Sequence, residues 1–254
     1  MSRGTLDGLK KLIIPIAPII NSKNLSIFMS RELTKQIIPA VLGETYTEIE
    51  RQLKILDGHT DWMHLDITDG HFTPIASWPL NSSGSGALEN LKFLDGKTKI
   101  EVHLMVEAPE TMLSDWLEVA DRIIIHYEAT DQLVEIIDSF SSSRIKLGLA
   151  LLLPTPIEKL APYLPKINFI QLMSIAEIGR QGHPFDARVL EKIKHLRHLS
   201  PDVIIQIDGG VNLETAKVAI EAGADNLVVG STIWQSPDPV VALKSFQSLL
   251  EANP

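Results

Sequence analysis

The segment MHLDITDGHFTP, residues 63–74, places four side chains that can bind a metal ion or move a proton in an otherwise apolar stretch. They are His64, Asp66, Asp69 and His71. Successive side chains of a β-strand alternate between its two faces, so His64 and Asp66 would project to the same side of a strand over residues 62–67. The segment therefore predicts an imidazole and a carboxylate side by side at a strand end.

Two other apolar runs end in the same types of residue. KIEVHLMV contains His103, and VIIQIDGG contains Asp208. Neutral imidazoles and carboxylates suit Zn²⁺, Mn²⁺, Fe²⁺ or Co²⁺, with an open position for substrate oxygens. Any one of these side chains alone is better explained as a buried group hydrogen-bonded to backbone. Four at equivalent strand ends favour one shared site, because charged groups are rarely buried unless they are paired.

Further polar residues flank these strand ends. Asp69 precedes Gly70 and is better explained as a turn former. His71 either borders the site or faces solvent. His126 and Glu128, in the run IIIHYEA, would point the same way and are candidates for orienting the metal-binding side chains.

Short β-branched runs alternate with amphipathic helical patterns from residue 35 onward, which is typical of repeated βα units. The predicted strands are 37–42, 62–67, 99–105, 122–126, 145–151, 167–173, 203–208 and 226–229. The predicted helices are 46–57, 87–94, 109–118, 131–139, 156–162, 186–198, 212–222 and 239–251. This order predicts an α/β fold, a (β/α)8 TIM barrel with its active site at the C-terminal strand ends. An open doubly wound sheet is disfavoured because no GxGxxG turn follows the first strand.

Two segments depart from the βα pattern. Residues 1–33 are predicted to be an N-terminal extension, followed by a single barrel domain over residues 34–254. The run KKLIIPIAPII within the extension is too short to span a bilayer, and two prolines interrupt it. The low-complexity stretch IASWPLNSSGSGA, residues 75–87, predicts a mobile loop after the second strand.

Composition narrows the function classes. The 254 residues are 44% hydrophobic, which is enough to bury a large core in one or two domains. The net charge of −9 with scattered basic residues disfavours nucleic acid or an anionic membrane surface as a partner. With no cysteine, a thiolate nucleophile and a cysteine-ligated metal are excluded. A small-molecule partner and a cytoplasmic location fit these features better.

A second group of candidates follows the last two predicted strands. The runs IDGGVN and ADNLVVGSTIW place Gly209, Gly210, Gly230 and Ser231 there. Barrels commonly bind phosphate at this position through backbone N–H groups and a short helix N-terminus, and glycine permits close approach. Either dipeptide alone would be explained as a turn. The two together favour a phosphate site.

The motifs HLDITDGHFTP, VHLMVEAPE, IHYEA, LPTP, IDGGVN and ADNLVVGSTIW together resemble those of the ribulose-phosphate 3-epimerase family, in family order from about residue 37 to the C-terminus. The resemblance implies a ribulose-phosphate-binding barrel in which one divalent metal ion (Zn, Fe, Mn or Co) is held by His64, Asp66, His103 and Asp208. It also implies a cytoplasmic enzyme of the pentose phosphate pathway that forms a homo-oligomer and has a sugar phosphate as its small-molecule partner.

The same resemblance implies a reaction. The family interconverts D-ribulose 5-phosphate and D-xylulose 5-phosphate by two-base proton transfer at C3, through a metal-stabilised enediolate. Asp66 and Asp208 would be the acid and the base. Met105 and Met173 match methionines that line the family pocket, and they are equally well explained as barrel core.

Several positions depart from the family pattern. Ala40 replaces a serine of the first strand, Thr68 replaces a methionine near the metal, and Leu152 replaces an asparagine after the fifth strand. Each change removes a side chain that the family places at its site.

The largest departure follows the sixth strand. The family pattern PGFGGQ becomes AEIGRQGHPF, residues 176–185, which keeps Gly179, Gln181 and Gly182. Arg180 or His183 would supply a phosphate donor by another geometry, or they face solvent. The change favours one alternative, an epimerase acting on another ketose or ketose phosphate. A non-catalytic sugar-phosphate binding protein is a further alternative, and the intact His64, Asp66, His103 and Asp208 argue against it, because a binding protein needs neither two bases nor a metal ion.

Overall fold

Eight parallel strands close into a barrel in the computed structural model, which describes residues 35–81, 88, 91 and 98–252. The strands are β1 (Gln36–Val41), β2 (Trp62–Thr68), β3 (Lys99–Met105), β4 (Arg122–His126), β5 (Lys146–Leu151), β6 (Phe169–Met173), β7 (Ile204–Asp208) and β8 (Asn226–Val229). Each strand pairs with the next, and β8 pairs with β1. The predicted TIM barrel is confirmed, and each strand begins and ends within two residues of its predicted bounds.

Helices follow most of the strands on the outside of the barrel. They are α1 (Tyr46–Leu56), α2 (Leu113–Trp116), α3 (Leu133–Phe140), α4 (Arg188–Leu199), α5 (Leu213–Ala222), α6 (Ser231–Trp234) and α7 (Pro239–Glu251). Local chemistry fixes several starts. The side chains of Thr45, Asn212 and Asp238 accept hydrogen bonds from the first-turn N–H groups of α1, α5 and α7, which have no partner within the helix.

Two of the predicted helices are much shorter than expected. The pattern over 109–118 forms a 3₁₀ turn at Pro109–Thr111 followed by the single turn α2, with an extended φ of −127° at Met112 between them. The pattern over 156–162 forms only a 3₁₀ turn at Ile157–Leu160. Pro162 follows closely and has no N–H to continue a helix. The predicted helix 87–94 lies outside the described residues except for positions 88 and 91.

Each barrel strand is buried on both faces, with different side chains on each. On β2, Met63, Leu65 and Ile67 belong to the large apolar core between the barrel and its helices. His64 and Asp66 alternate with them and are buried in the barrel interior. On β2, apolar residues that face the outer helices therefore alternate with polar residues that face the barrel interior.

The lower barrel interior is filled by aromatic and cationic side chains. The guanidinium carbon of Arg122 lies 3.9 Å from the ring centroid of Trp62 and 4.8 Å from that of Phe169. Phe169 also packs with Ile124. Gly148 lies beside this ring, and a Cβ at that position would clash with it.

The segment that follows β2 differs from its predicted character. Ser77 and Trp78 are buried, and their N–H groups donate to the carbonyl oxygens of Thr68 and Gly43. Residues 75–81 therefore pack against the barrel, and the prediction of a mobile loop is wrong for this part, because an aromatic side chain inside the stretch can be buried. Residues 82–87 and the N-terminal extension, 1–33, lie outside the described residues. Within the described part of the chain, every helix is too short or too polar to cross a bilayer.

We expect Gly148→Ala to destabilise the barrel by about 1–3 kcal/mol, because the added methyl group must displace the Phe169 ring in a packed interior. Urea unfolding measures the change. In a Phe169→Leu background, the same substitution should cost clearly less, because the ring is gone. An equal cost in both backgrounds would show that the clash is not the cause.

Candidate active site

Four side chains converge at the C-terminal end of the barrel interior. The nearest donor atoms of His64, Asp66, His103 and Asp208 all lie within 4.8 Å of one another, and all four residues are buried. His64 Nε2 lies 3.0 Å from Asp66 Oδ1 and 3.2 Å from His103 Nδ1. His103 Nδ1 lies 3.5 Å from Asp208 Oδ2. The structure thus brings together the four residues that the sequence pattern selected.

Strand register produces this convergence. Asp66 on β2 is paired directly with His103 on β3, and His64 precedes Asp66 by two residues on the same face. Asp208 approaches from β7, which is not a neighbour of either strand. Barrel closure alone brings it to within 3.7 Å of His64 Nε2.

The donor set fits a divalent metal ion. The five contacts in this cluster that involve a histidine nitrogen run from 3.0 to 3.7 Å, which matches bonds of about 2.0–2.2 Å to one shared centre. Two ring nitrogens face each other across the same carboxylate oxygen, an arrangement that hydrogen bonds alone satisfy poorly. Nitrogen and oxygen donors of this kind suit Zn²⁺, Fe²⁺, Mn²⁺ or Co²⁺.

A buried carboxylate orients His64. Glu101 Oε1 lies 2.5 Å from His64 Nδ1, so the proton on this nitrogen is held and Nε2 faces the donor cluster. Glu101 in turn contacts the Arg122 guanidinium and accepts from Gln206 Nε2 at 2.7 Å. The charge of Glu101 is therefore balanced within the barrel. Burial acts to raise the pKa of Glu101. The charges of Arg122 and His64 outweigh burial, so the pKa of Glu101 is lowered.

The two aspartates differ in acidity. Burial raises the pKa of Asp208 to about 7, with added repulsion from Asp66 and Glu101 and opposition from His64. Burial also acts to raise the pKa of Asp66, but His64 and His103 outweigh it and hold the pKa well below its usual range. In the metal-free protein near neutral pH, one carboxylate is thus ionised while the other can hold a proton.

The two histidines differ in the same way. Burial lowers the pKa of His103 to about 4, against the opposing hydrogen bond to Asp66. For His64, burial also acts to lower the pKa, but the charges of Asp66 and Glu101 raise it well above its ordinary value. The centre of the cluster therefore favours a positive charge, which a proton or a metal ion can supply.

A layer of amide side chains lies below the cluster. The sequence motifs did not predict it. Gln171 Nε2 donates to Asp208 Oδ2 at 3.0 Å, and Gln206 Nε2 donates to Gln171 Oε1 at 2.8 Å. Asn226 Nδ2 donates to Gln206 Oε1 at 3.2 Å. The available signal was spacing, because Glu101 and Gln206 stand two residues before a predicted ligand and share its strand face.

A pocket opens above the cluster. Asp66 and Asp208 line its floor, and Arg180 and His183 line the loop side. The predicted pocket and phosphate-binding residues also line it, namely Met105, Met173, Gly179, Gly182, Gly209, Gly210, Gly230 and Ser231. The two methionines are at the same time packed in a buried apolar cluster with Ile175 and Ile178.

The loop after β6 is fixed over this pocket by close packing. A Cβ at Gly210, where φ is +64°, would clash with the backbone of Phe185. A Cβ at Gly179 would lie 2.6 Å from the side chain of Thr73. Gln181 Nε2 donates to the carbonyl oxygen of Ala40 at 3.4 Å. These contacts hold the divergent segment, including Arg180, at the pocket.

The other candidates lie around the cluster. His126 is buried, and its Nε2 lies 2.9 Å from His103 Nε2, which agrees with an orienting role. Glu128 Oε2 lies 3.5 Å from His126 Nδ1. Asp69 accepts from the N–H groups of His71, Phe72 and Glu107, as a turn former does. The His71 side chain is exposed and is not part of the donor cluster.

The three positions that depart from the family pattern have different surroundings. Ala40 lines the pocket without a hydroxyl group, and Leu152 packs against the methionine cluster. Thr68 is buried, and in the described part of the chain its hydroxyl has no hydrogen-bond partner.

Comparison with known proteins identifies relatives along most of the chain. The model of the ribulose-phosphate 3 epimerase family matches residues 36–234. The Bacillus subtilis ribulose-phosphate 3-epimerase is 30% identical over 220 residues, covering 84% of this chain and 98% of the relative. The Schizosaccharomyces pombe ribulose-phosphate 3-epimerase is 29% identical over 211 residues, covering 82% and 91%.

Solved structures share the barrel at low identity. KGPDC from Streptococcus mutans superposes with a TM-score of 0.63 at 15% identity, over 86% of this chain and 98% of that one. 3-Hexulose-6-phosphate synthase from Salmonella typhimurium superposes with a TM-score of 0.65 at 12% identity, over 86% and 100%. At this identity the similarity shows the fold alone.

We expect a divalent metal ion such as Zn²⁺ or Mn²⁺, at 100 times its Kd, to raise the free energy of unfolding by about 2.7 kcal/mol. His103→Ala should remove most of this gain, because it deletes one of four converging donors. Thermal unfolding with and without a chelator gives the measurement.

An exposed histidine of α4 provides a matched control, and His198→Ala should keep the full gain. Metal affinity should rise with pH in the wild type. A proton is held on His64 well above its ordinary pKa, and it must leave before Nε2 can bind the metal. Equal metal stabilisation in His103→Ala and wild type would contradict the site.

Proposed function

Because the chain belongs to the ribulose-phosphate 3-epimerase family, we propose that it is an isomerase that interconverts D-ribulose 5-phosphate and D-xylulose 5-phosphate. The observation that carries the proposal is the pair of carboxylates on the pocket floor. Asp66 comes from β2 and Asp208 from β7, and environment sets their pKa values far apart. A cytoplasmic location and a homo-oligomeric assembly stay predictions from the family resemblance.

Epimerisation at C3 needs one group to remove a proton and a second group to deliver one to the opposite face. An ionised carboxylate does the first, and a protonated carboxylic acid does the second. In the metal-free protein Asp66 and Asp208 differ in this way near neutral pH, and a bound metal ion would change the pKa values of both. The reaction in the other direction exchanges their roles, so the pair serves both directions without a net gain or loss of protons.

His64, Asp66, His103 and Asp208 would hold the divalent metal ion. When bound, the metal supplies Lewis-acid stabilisation of the negative charge that develops on the substrate oxygens as the C3 proton leaves. Gln171 donates to Asp208 Oδ2 and so fixes the direction in which this carboxyl group points. Met105 and Met173 cover the floor with apolar surface, which limits the access of water to the carbanion-like intermediate.

The substrate phosphate would bind at the opposite end of the pocket. Gly209, Gly210, Gly230 and Ser231 line this end, where the backbone can approach a phosphate closely. Arg180 adds a guanidinium group that can donate two hydrogen bonds to a phosphate. The two aspartates at the floor and Arg180 at the edge would orient a substrate that has a ketose group at one end and a phosphate at the other.

The divergent β6 loop supports a second candidate substrate. Arg180 and His183 stand at the pocket where the family pattern has a glycine run, and Ala40 removes a hydroxyl group. These changes would alter the fit of the sugar while leaving the two-base floor unchanged. An epimerase of another ketose or ketose phosphate would use the same proton transfer.

We expect Asp208→Asn to reduce kcat on D-ribulose 5-phosphate by at least about 10²-fold, because an amide cannot accept or deliver the C3 proton. A coupled assay for D-xylulose 5-phosphate, run with metal added and again with chelator, gives the measurement. Asp186→Asn is the control, since this half-buried carboxylate pairs with Arg188 outside the pocket floor.

The assay separates the candidate functions. Chelator-sensitive turnover of D-ribulose 5-phosphate supports the proposal. If other ketoses are turned over and D-ribulose 5-phosphate is not, the second candidate is supported. Binding without any turnover indicates a non-catalytic binding protein. Near-normal activity in Asp208→Asn would exclude Asp208 as a base.

We expect Arg180→Gln to raise KM for the phosphorylated substrate by about 10-fold or more while changing kcat less, because a charge-assisted hydrogen bond is lost far from the reacting carbon. Steady-state kinetics measure both constants. Arg188→Gln removes the same charge nearby and should leave KM unchanged. If the two variants behave alike, Arg180 faces solvent and does not bind the phosphate.

A further inference from the structure

A chain of polar contacts leads from the loop after β5 to the metal-facing imidazole of His103. We propose that Glu128 is a positioning residue that acts through His126 to fix the tautomer of His103 that presents Nδ1 to a metal ion. The proposal rests on the proposed metal-dependent function of the site. It concerns how His103 is prepared to bind the metal ion.

The imidazole rings of His103 and His126 are in direct contact. His103 Nδ1 belongs to the donor cluster, and His103 Nε2 lies 2.9 Å from His126 Nε2. Both rings are fully buried. Between two neutral imidazoles only one of the facing nitrogens can carry the proton, so one ring donates and the other accepts. The contact alone does not set which ring donates.

The far side of His126 sets the direction. Its Nδ1 lies 3.5 Å from Glu128 Oε2, which is a charge contact longer than a normal hydrogen bond, and within the described residues both atoms are buried without any hydrogen-bond partner. A carboxylate accepts and cannot donate, so the His126 proton belongs on Nδ1. His126 Nε2 is then an acceptor, and the proton between the rings belongs to His103 Nε2. His103 Nδ1 is left with a lone pair for the metal.

One neighbouring group competes with this order in the metal-free protein, because Asp66 Oδ1 lies 3.0 Å from His103 Nδ1 and can accept a proton carried there. A metal ion bound to Nδ1 would take the place of that proton. Gln171 Nε2 lies 3.3 Å from both ring nitrogens of His103, so it favours neither tautomer. Phe72 packs against the His126 ring at 5.0 Å between centroids and offers no polar atom. Glu128 is therefore the carboxylate that favours the His126 proton on Nδ1, and in this way it sets the direction of the relay toward His103.

Glu128 is itself held in place by the loop after β5. Its Oε1 accepts from the N–H of Leu152 at 2.9 Å and from the hydroxyl of Thr155 at 2.5 Å. Lys192 Nζ, on α4, donates to the carbonyl oxygens of Leu152 and Leu153 at 2.8 and 3.0 Å. Oε1 is therefore fully engaged, and Oε2 is left for His126.

Each metal-facing histidine then has its own carboxylate. Glu101 orients His64 by direct contact at 2.5 Å, and Glu128 orients His103 through one intervening imidazole. Outer partners of this kind typically change metal affinity about 10–100-fold when they are lost. The relay predicts an effect of that size at a residue that does not touch the metal.

Glu128→Gln tests the direction of the relay with almost no change of shape. The amide oxygen can keep the contacts with Leu152 and Thr155, which places the NH2 group against His126 Nδ1. A donor at that point forces Nδ1 to accept and moves the His126 proton to Nε2. The His103 proton is then driven toward Nδ1, where it competes with the metal.

We expect the Kd for Zn²⁺, measured on metal-free protein by competition with a chromophoric chelator, to rise about 10–100-fold in Glu128→Gln. The unfolding midpoint of the metal-free variant should stay at the wild-type value. Glu107→Gln is the matched control, because Glu107 lines the same surface pocket and loses the same charge, but its side chain is exposed and remote from the relay. Its Kd should not change.

A double-variant cycle tests whether Glu128 acts through His126. His126→Leu should weaken Zn²⁺ binding, and adding Glu128→Gln to it should have no further effect. If Glu128→Gln does not fold, His126→Gln replaces it in the test. The amide oxygen of this variant can accept from His103 Nε2, so it should bind Zn²⁺ more tightly than His126→Leu.

Three outcomes would overturn the positioning role, and each differs from failure of the proposed function. They are a wild-type Kd in Glu128→Gln, an equal loss in Glu107→Gln, and equal affinities for the two His126 variants. Failure of the proposed function has another signature, since the wild-type protein would then not bind Zn²⁺ at all or would bind it without turning over a ketose phosphate.

Discussion

The structure depends on a cluster of ionisable side chains placed where water cannot screen them. His64, Asp66, His103 and Asp208 are buried at the end of the barrel and lie within 4.8 Å of one another. Like charges so close in a low-dielectric interior repel strongly unless a positive charge lies among them. The raised pKa values of His64 and Asp208 are two responses to that constraint in the metal-free protein. A bound divalent metal would satisfy it more completely.

The barrel interior below the cluster is organised to support it. Glu101 faces His64, and Arg122 and Gln206 balance Glu101 from beneath. Gln171 links this layer to Asp208. Because the layer is hydrogen-bonded throughout, the metal-facing groups are held in direction as well as in place. This rigidity suits the proposed proton transfer, in which the two carboxylates would stay on opposite sides of one carbon atom.

The pocket above the floor shows where the chain has diverged from its family. The floor keeps the residues that the family motifs specify, while the β6 loop exchanges a glycine run for a segment that contains Arg180 and His183. Packing of Gly179 against Thr73 and of Gly210 against Phe185 still holds that loop over the pocket. In the proposed function, proton transfer at the floor and substrate recognition at the edge would therefore be carried by separate elements, so that one could change without the other.

Alternation and strand ends in the sequence were sufficient to predict the barrel and the four donor residues. His64 and Asp66 share a strand face by spacing alone, and eight βα repeats imply closure. Other features depended on contacts between distant segments. Helices 109–118 and 156–162 were predicted too long, because proline and backbone conformation at single residues decide where a helix ends. Burial of Trp78 within a polar stretch could not be read locally, since its partners lie on other elements.

The sequence by itself determined which residues could bind a metal, because residue type and strand parity are local properties. Only the tertiary structure decided how they are prepared for it. The distance from Asp208 to His64, the acidity of each aspartate and the relay from Glu128 through His126 to His103 all arise across strands that are far apart in the chain. Burial and electrostatic interaction are properties of that shared interior, and no segment carries them alone.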